Sequence, residues 1–312
     1  MDKQVLLETR ERVSPYIHNT SIFTSSLLDV MSGSKLFFKC ENFQKMGAFK
    51  MRGATNAIMQ LSKEQQEQGV VTHSSGNFAQ ALSLAAKNLG VTAYIVMPNN
   101  APKVKKEAVL AYGGIVTDCE PNIAAREQAA QQIVDEKGAT FIHPSNDLDV
   151  ILGNATAAME LLEVHPDLDV ILSPVGGGGL LAGTALAAHY FGNHCLVIGA
   201  EPQVADDAFR SLKSGQIETN DSADTVADGL RTQLGDINFP ILQKHVDHII
   251  CVEEQEIIKA MKILWERLKI VVEPSSAVGF AAVLKENEYF KGKQVGIILS
   301  GGNVDLETIK FS

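Results

Sequence analysis

The sequence predicts an α/β fold built from two open, twisted parallel-sheet domains. Short apolar runs alternate with helical patterns of roughly ten or more residues along most of the chain, the order that a parallel sheet wrapped by helices requires. The 312 residues exceed the usual size of one domain, so about two are expected. Three apolar runs end directly in glycine- or serine-rich loops, at Ser74-Ser75-Gly76-Asn77, at Gly176-Gly177-Gly178-Gly179 and at Ser300-Gly301-Gly302-Asn303.

Taken in order, residues 3–13 read as a helix, and residues 36–40 (LFFKC) as a buried strand entering the turn that holds Lys50. Residues 51–61 are helix, and residues 70–72 are a strand closed by His73-Ser74-Ser75-Gly76-Asn77 before an alanine-rich helix at 78–89. Strands at 91–97, 115–118 and 139–142 alternate with helices at 103–112 and 123–136. After His143-Pro144-Ser145 comes a helix at 150–164, then an apolar strand at 169–175 that runs into the four glycines and a small-residue helix at 180–191. A strand at 196–200 leads to Glu201-Pro202 and to Asp206-Asp207, and residues 214–224 are a polar loop. Strand 248–252, amphipathic helix 254–268, a helix after Glu273-Pro274 and strand 295–299 complete the chain, with no internal repeat or low-complexity tract.

Composition narrows the function classes. Hydrophobic residues at 45% and charged residues at 21% are ordinary for a globular protein, and no run approaches the roughly 18 apolar residues of a membrane span. The start, MDKQVLLETRERV, lacks the basic region, apolar stretch and cleavage site of a signal peptide, so a cytoplasmic location is expected. A net charge of -10 with no isolated Lys/Arg block argues against nucleic acid and favours small-molecule substrates. The cysteines Cys40, Cys119, Cys195 and Cys251 form no CxxC pair, and the eight histidines no HExxH, so neither a zinc cluster nor a disulfide framework is expected.

Chemistry is concentrated at the strand ends. Lys50 lies between a strand-like and a helix-like run; a lysine desolvated at such a junction loses its proton and can condense with a carbonyl, whereas a solvated one would be an ordinary first-turn residue. Four glycines between an apolar strand and a helix present several backbone N–H groups at a positive helix end, which suits an anion such as phosphate. They match neither G-x-G-x-x-G nor a P-loop. Ser74 to Asn77 could hold a carboxylate or could simply cap a helix, and Ser300 to Asn303 could be a plain turn. In open α/β sheets ligands collect beyond the carboxyl ends of strands, where Lys50, Ser75, Gly176 and Ser300 would converge.

Together these residues resemble the fold type II pyridoxal-phosphate enzymes, in the branch of serine racemase and serine/threonine dehydratase, over nearly the whole chain. FFKCENFQKMGAFKMRGA resembles the cofactor-lysine motif, THSSGN the substrate loop, VGGGGLLAG the phosphate cup, EPSSA a cofactor-adjacent segment and LSGGNVD the pyridine-nitrogen loop. The resemblance implies a tryptophan-synthase-β-like architecture and pyridoxal 5'-phosphate as cofactor. Lys50 would carry it covalently, with Phe49 against the ring, Asn77 at the ring hydroxyl, Gly176, Gly177, Gly178 and Gly179 around the phosphate, and Ser300 facing the pyridine nitrogen. Ser74, Ser75, Gly76, Asn77 and Arg126 would contact substrate.

The implied reaction is serine racemisation with accompanying L-serine and L-threonine dehydration. Lys50 takes the Cα proton on one face; Ser75, a serine where simple threonine dehydratases carry alanine, is the donor on the other. A dehydratase of threonine, serine or 3-hydroxyaspartate without useful racemase activity is the alternative, and a non-catalytic phosphometabolite-binding module a remote one. Glu201 and Asp207, with the Ala205 carbonyl between them, resemble the family's divalent-metal loop, suited to Mg2+ or else Ca2+ or Mn2+, although acids at a helix start are also favoured by its dipole. A homodimer is implied, and Lys45, Lys105 and Tyr112 match the ATP-effector region of animal serine racemases while Met46 departs from it. Phe78, Ala48, Ser145 and Asn146 also depart from the racemase pattern around the substrate pocket. The expected division is a large cofactor-binding domain, 1–68 and 147–312, and a small domain, 69–146.

Overall fold

The computed structural model describes residues 2–101 and 103–306. Among these residues ten strands form two sheets: β1 (Ile22–Phe23), β2 (Lys35–Cys40), β3 (Val70–His73), β4 (Ala93–Pro98), β5 (Ile115–Cys119), β6 (Thr140–Phe141), β7 (Val170–Pro174), β8 (Leu196–Pro202), β9 (His248–Val252) and β10 (Gln294–Leu299). The larger sheet has the order β1-β2-β10-β7-β8-β9 and the smaller β5-β4-β3-β6. Every pairing is parallel except that of β1 with β2. The α/β class and the two parallel sheets therefore stand as the sequence predicts. The antiparallel edge strand β1 is an addition, two residues long and without a period to read.

Side-chain alternation puts the larger sheet between two helical layers. Leu36, Phe38 and Cys40 of β2 face the same core as Leu264, Val278 and Phe280, which come from the helices Glu254–Leu268 and Pro274–Lys285. Phe37 points the other way, into a core with Ile151, Leu161 and Leu181 from the helices Leu148–Val164 and Gly179–Phe191. Several short helices carry too little periodicity to be read from sequence, among them Ser26–Ser32, Lys63–Gln68 and Phe239–His245. Lys63–Gln68 has no apolar residue at all and is defined by the Ser62–Gln65 capping box.

The helix Lys50–Gln60 is shared between the sheets. Met51, Ala54 and Ile58 join a core with Phe78 and Leu82 from the helix Asn77–Leu89, beside the smaller sheet. On its other side it meets the helix Leu148–Val164 almost backbone to backbone: a Cβ on Gly153 would lie 2.5 Å from the Arg52 carbonyl. No side chain fits that crossing.

Four buried charges lock this helix. Arg52 donates to both oxygens of Glu41, from Nε at 2.7 Å and Nη2 at 2.8 Å, and to both oxygens of Glu160, from Nη1 at 2.7 Å and Nη2 at 2.8 Å. Lys39, on the core-facing side of β2, donates to Glu160 at 2.6 Å and to the Thr20 carbonyl at 2.7 Å. Burial alone would raise the Glu41 carboxyl; the Arg52 charge and hydrogen bonds outweigh it and hold the group below the ordinary range. Removing one member of such a set leaves an uncompensated buried charge, which typically destabilises by about 3–5 kcal/mol. Arg52→Leu is expected to lower the unfolding free energy by that order in a denaturant titration, and Arg52→Lys to recover only part of it, because an ammonium cannot bridge two carboxylates bidentately.

Candidate active site

Strand order brings distant loops together. β10 lies between β2 and β7, with Leu299 level with Cys40, so the loops leaving the carboxyl ends of β2, β10 and β7 are neighbours. The first two are zipped to each other: Ala48 forms an isolated antiparallel bridge with Gly301, the Phe49 amide donates to the Ser300 carbonyl at 3.0 Å, and the Gly302 amide to the Gly47 carbonyl at 2.9 Å. Lys50 is the first residue of its helix, and its Nζ donates to the Pro144 carbonyl at 2.7 Å. The ammonium lies 5.0 Å from the Phe49 ring centroid and 5.6 Å from that of Phe78. Phe78, which departs from the racemase pattern, is a buried wall beside Lys50. Burial pushes the Lys50 ammonium down to about 8, against the opposing pull of the Glu273 charge.

Sequence reasoning did not single out Glu273, although it lies in the quoted EPSSA segment. Its carboxyl, 3% exposed, is pushed up to about 7 by burial and by the charge of Asp228. Asn77 donates from Nδ2 to its two oxygens at 2.9 and 3.2 Å, and Asn77 Oδ1 accepts from Asn303 at 2.9 Å. Ser300 is also buried, with its hydroxyl 3.1 Å from that of Ser276. Ser276 gives its single proton to the Gly301 carbonyl at 2.6 Å and accepts from the Gly301 amide at 2.6 Å, so Ser300 is the donor in the contact between the two hydroxyls.

The four glycines form a cradle. Among the described residues, the amides of Gly176, Gly177, Gly178 and Gly179 have no hydrogen-bond partner, and they stand at the start of the helix Gly179–Phe191. Gly178 has φ +78°, and a Cβ on Gly176 would come within 2.7 Å of the Leu230 backbone. The facing wall is the irregular stretch around Leu230, Thr232 and Leu234, braced by Asn238, whose Nδ2 donates to the Gly177 carbonyl at 2.9 Å. Ser145 lies against Gly177 and Gly179, so the Pro144-Ser145 segment links the cradle directly to Lys50. Free amide donors at a helix N-terminus, with no room for side chains, fit a phosphate, and a buried amine of lowered proton affinity fits an aldehyde. This chain's residues are therefore suited to pyridoxal phosphate.

Ser74, Ser75 and Gly76 follow β3 of the smaller sheet. The helix Asn77–Leu89 is capped by Gly76 without a side-chain bond, and among the described residues the Ser75 hydroxyl has no hydrogen-bond partner. Ser75 is not the cap that its position allowed. Nearby, His143 Nδ1 accepts from the amides of Ser145 and Asn146 at 3.2 and 2.8 Å, so its proton sits on Nε2. Burial and the His73 and Lys50 charges hold this ring down to about 4. Burial lowers the affinity of His73 for a proton, with a smaller contribution from the Arg126 charge, and among the described residues Arg126 Nε is buried without a partner. Asn146 turns away from the site to bond Asp236 and the Ile237 amide.

Glu201 and Asp207 are both fully buried. Glu201 accepts from the amides of Ala208 and Phe209, and Asp207 from Asn220 and the Leu234 amide. Burial and the Asp207 charge raise Glu201 well above the ordinary range, and burial raises Asp207 to about 6. Among the described residues no three His, Cys, Asp or Glu side chains gather as a metal-binding group, and no helix is long and apolar enough to cross a membrane. Lys105, from the helix Lys103–Ala111, is paired with Asp228.

Comparison with known proteins agrees with the geometry. The profile of the family described as "Pyridoxal-phosphate dependent enzyme" matches residues 13–301. The beta-hydroxyaspartate dehydratase of Paracoccus denitrificans is 47% identical over 307 residues, covering 98% of both chains. The serine racemase of Dictyostelium discoideum is 49% identical over 308 residues, covering 97% of this chain and 94% of that one. A crystal structure of serine racemase from the same organism superposes with a TM-score of 0.94 at 47% identity, covering 98% of this chain and 99% of the other. With a family match across most of its length and relatives near half identical from end to end, this chain belongs to the pyridoxal-phosphate dependent enzyme family.

Proposed function

We propose that the chain is a pyridoxal-phosphate-dependent serine racemase with accompanying L-serine and L-threonine dehydratase activity. The observation that carries this reading is the Ser75 hydroxyl, which has no partner among the described residues and no capping duty, on the loop just before Phe78, whose ring lies 5.6 Å from the Lys50 ammonium. The relatives named serine racemase support it. A second reading, dehydration of 3-hydroxyaspartate, is favoured by Arg126 Nε, buried without a partner among the described residues, which suits a second carboxylate, and by the dehydratase relative. Chiral amino-acid and keto-acid analysis after incubation with serine, threonine and 3-hydroxyaspartate separates the two: D-serine from L-serine supports the first, and keto acid from 3-hydroxyaspartate alone the second.

Bound pyridoxal phosphate supplies an electron-withdrawing ring that stabilises negative charge at the α-carbon of an attached amino acid. In the proposed arrangement the amides of Gly176 to Gly179 would bind the phosphate, Phe49 would pack on the ring, Asn77 would donate to the ring hydroxyl and Ser300 would face the pyridine nitrogen. Ser74, Gly76 and Asn77 hold the substrate carboxylate through the start of their helix. Lys50 Nζ, kept partly neutral by burial, which lowers its pKa to about 8, would take the α-proton on its own face. Ser75 Oγ delivers a proton on the other face. Elimination of a β-hydroxyl needs only the first of these groups; inversion needs both.

The domain division proposed above, 1–68 with 147–312 and 69–146, assigns one sheet to each unit. A cytosolic homodimer is in keeping with four free cysteines and with Leu27, Val30 and Met31, exposed on one short helix. An ATP-class effector at Lys45, Lys105 and Tyr112 would have to compete with Asp228 for Lys105. We also propose a divalent cation such as Mg2+, Ca2+ or Mn2+ at Glu201, the Ala205 carbonyl and Asp207: two carboxylates whose proton affinity is raised, Glu201 by burial and the Asp207 charge and Asp207 by burial, would both ionise with a cation between them.

Lys50→Ala is expected to abolish turnover and the visible absorbance of the loaded enzyme. In wild-type apoprotein the rate of covalent cofactor capture should rise with pH and reach half its maximum near about 8, since only the neutral amine condenses and it predominates above that value. A midpoint above 10 would mean that Lys50 is an ordinary solvated lysine.

Ser75→Ala should lose racemisation of both serine enantiomers and dehydration of D-serine while L-serine dehydration persists or rises. Equal loss of all three activities would remove the two-base assignment.

Chelation should lower the melting temperature, and Mg2+ should restore it. Coincident melting curves with chelator and with Mg2+ would dismiss the cation site.

A further inference from the structure

The loop after β10 ends in Asn303, a residue to which no motif assigns a role. Its carboxamide nitrogen donates twice, to the Met46 carbonyl at 2.8 Å and to Asn77 Oδ1 at 2.9 Å. A backbone carbonyl only accepts, so the nitrogen and oxygen of Asn303 cannot exchange places. The oxygen is turned towards Gly47, where a Cβ would lie 2.8 Å from it. With both N–H bonds of Asn303 committed, Asn77 must present its own oxygen to the second. Its nitrogen then faces the Glu273 carboxyl, 2.9 and 3.2 Å away. One N–H of Asn77 serves those two oxygens and the other is left over.

We propose that Asn303 is a positioning residue that locks the Asn77 side chain as a hydrogen-bond donor towards bound cofactor, so that the site selects an ionised ring hydroxyl at that point. Main chain fixes the lock at both ends. Met46 is a non-glycine residue at φ +56°, and its carbonyl is tied by Asn303. The Glu273 amide is bonded to the Gly301 carbonyl at 3.0 Å, and the Asn303 backbone amide further favours the Glu273 carboxylate. Asn77 can therefore give a hydrogen bond to a bound group and cannot take one. Asn303 itself acts only through Asn77. The inference rests on the cofactor reading above, which the Lys50→Ala variant tests separately.

The test is a double-mutant cycle on pyridoxal 5'-phosphate affinity, measured by titrating folded apoprotein, together with the pH dependence of the visible absorption of the loaded protein. Asn77→Ala and Asn303→Ala should each weaken binding by about tenfold or more, the usual range for a hydrogen bond to a charged group. The double variant should bind no more weakly than Asn77→Ala alone. The pH at which the ring hydroxyl ionises should move upward in Asn303→Ala. Multiplied losses in the double variant, or an unchanged affinity and pH profile in Asn303→Ala, would overturn the proposal. Asn303→Asp keeps the shape and replaces both donors by acceptors, so it should lose at least as much affinity; wild-type affinity in that variant would overturn it even where Asn303→Ala does not fold.

Discussion

The placement of Lys50 depends on a guanidinium two residues further along the same helix. Arg52 is fixed to Glu41, just past β2, and to Glu160, on the helix Leu148–Val164, while Lys39 of β2 completes the charge balance. A hydrophobic interface would hold these elements together with some freedom to slide. Bidentate contacts to two carboxylates fix both rotation and translation of the helix. The Gly153 crossing adds a steric limit from the same side. The first turn of the helix, and with it the Lys50 amine, is thus set by charges that never meet the cleft. Replacing such a cluster by apolar residues can match its stability, so its value here lies in register.

Sheet order does the second part of the work. The chain lays down β2 early and returns to it last, placing β10 between β2 and β7. Three loops from the beginning, middle and end of the sequence therefore become neighbours at the carboxyl end of the sheet, and the Ala48–Gly301 bridge joins two of them into a single platform. The smaller sheet contributes Asn77 from across the cleft, and the chain Asn303–Asn77–Glu273 ties it to that platform. An α/β architecture built this way separates the amine, the anion cradle and the loop hydroxyls in sequence while keeping them close in space.

Much of this was legible in sequence, for definite reasons. Lys50 and the four glycines stand at strand-to-helix junctions with strong apolar runs on one side, and a parallel sheet leaves such junctions facing the same way. The strands and long helices were readable because their periodicity is strong. What escaped has a common cause. Arg52 and Glu160 lie 108 residues apart, and Asn77 and Glu273 lie 196 apart, so their pairing follows from packing and not from any local pattern. Glu273 before a proline reads as an acid at a helix start, favoured by the dipole, and nothing nearby in the chain shows that Asn77 will cover it. Short polar helices such as Lys63–Gln68 are held by caps and offer no face to read.

The empty-handed amides of the glycine cradle have a consequence beyond binding. Four backbone donors without protein partners among the described residues are a local deficit in the folded chain, one that an anion makes good and an unfolded chain does not share. A ligand that meets them stabilises only the folded form, by about 2.7 kcal/mol at a free concentration one hundred times its Kd. Vitamin supply would then govern how long each molecule survives surveillance by proteases as well as how fast it turns over, and the amount of protein in a cell would follow the amount of cofactor available to it.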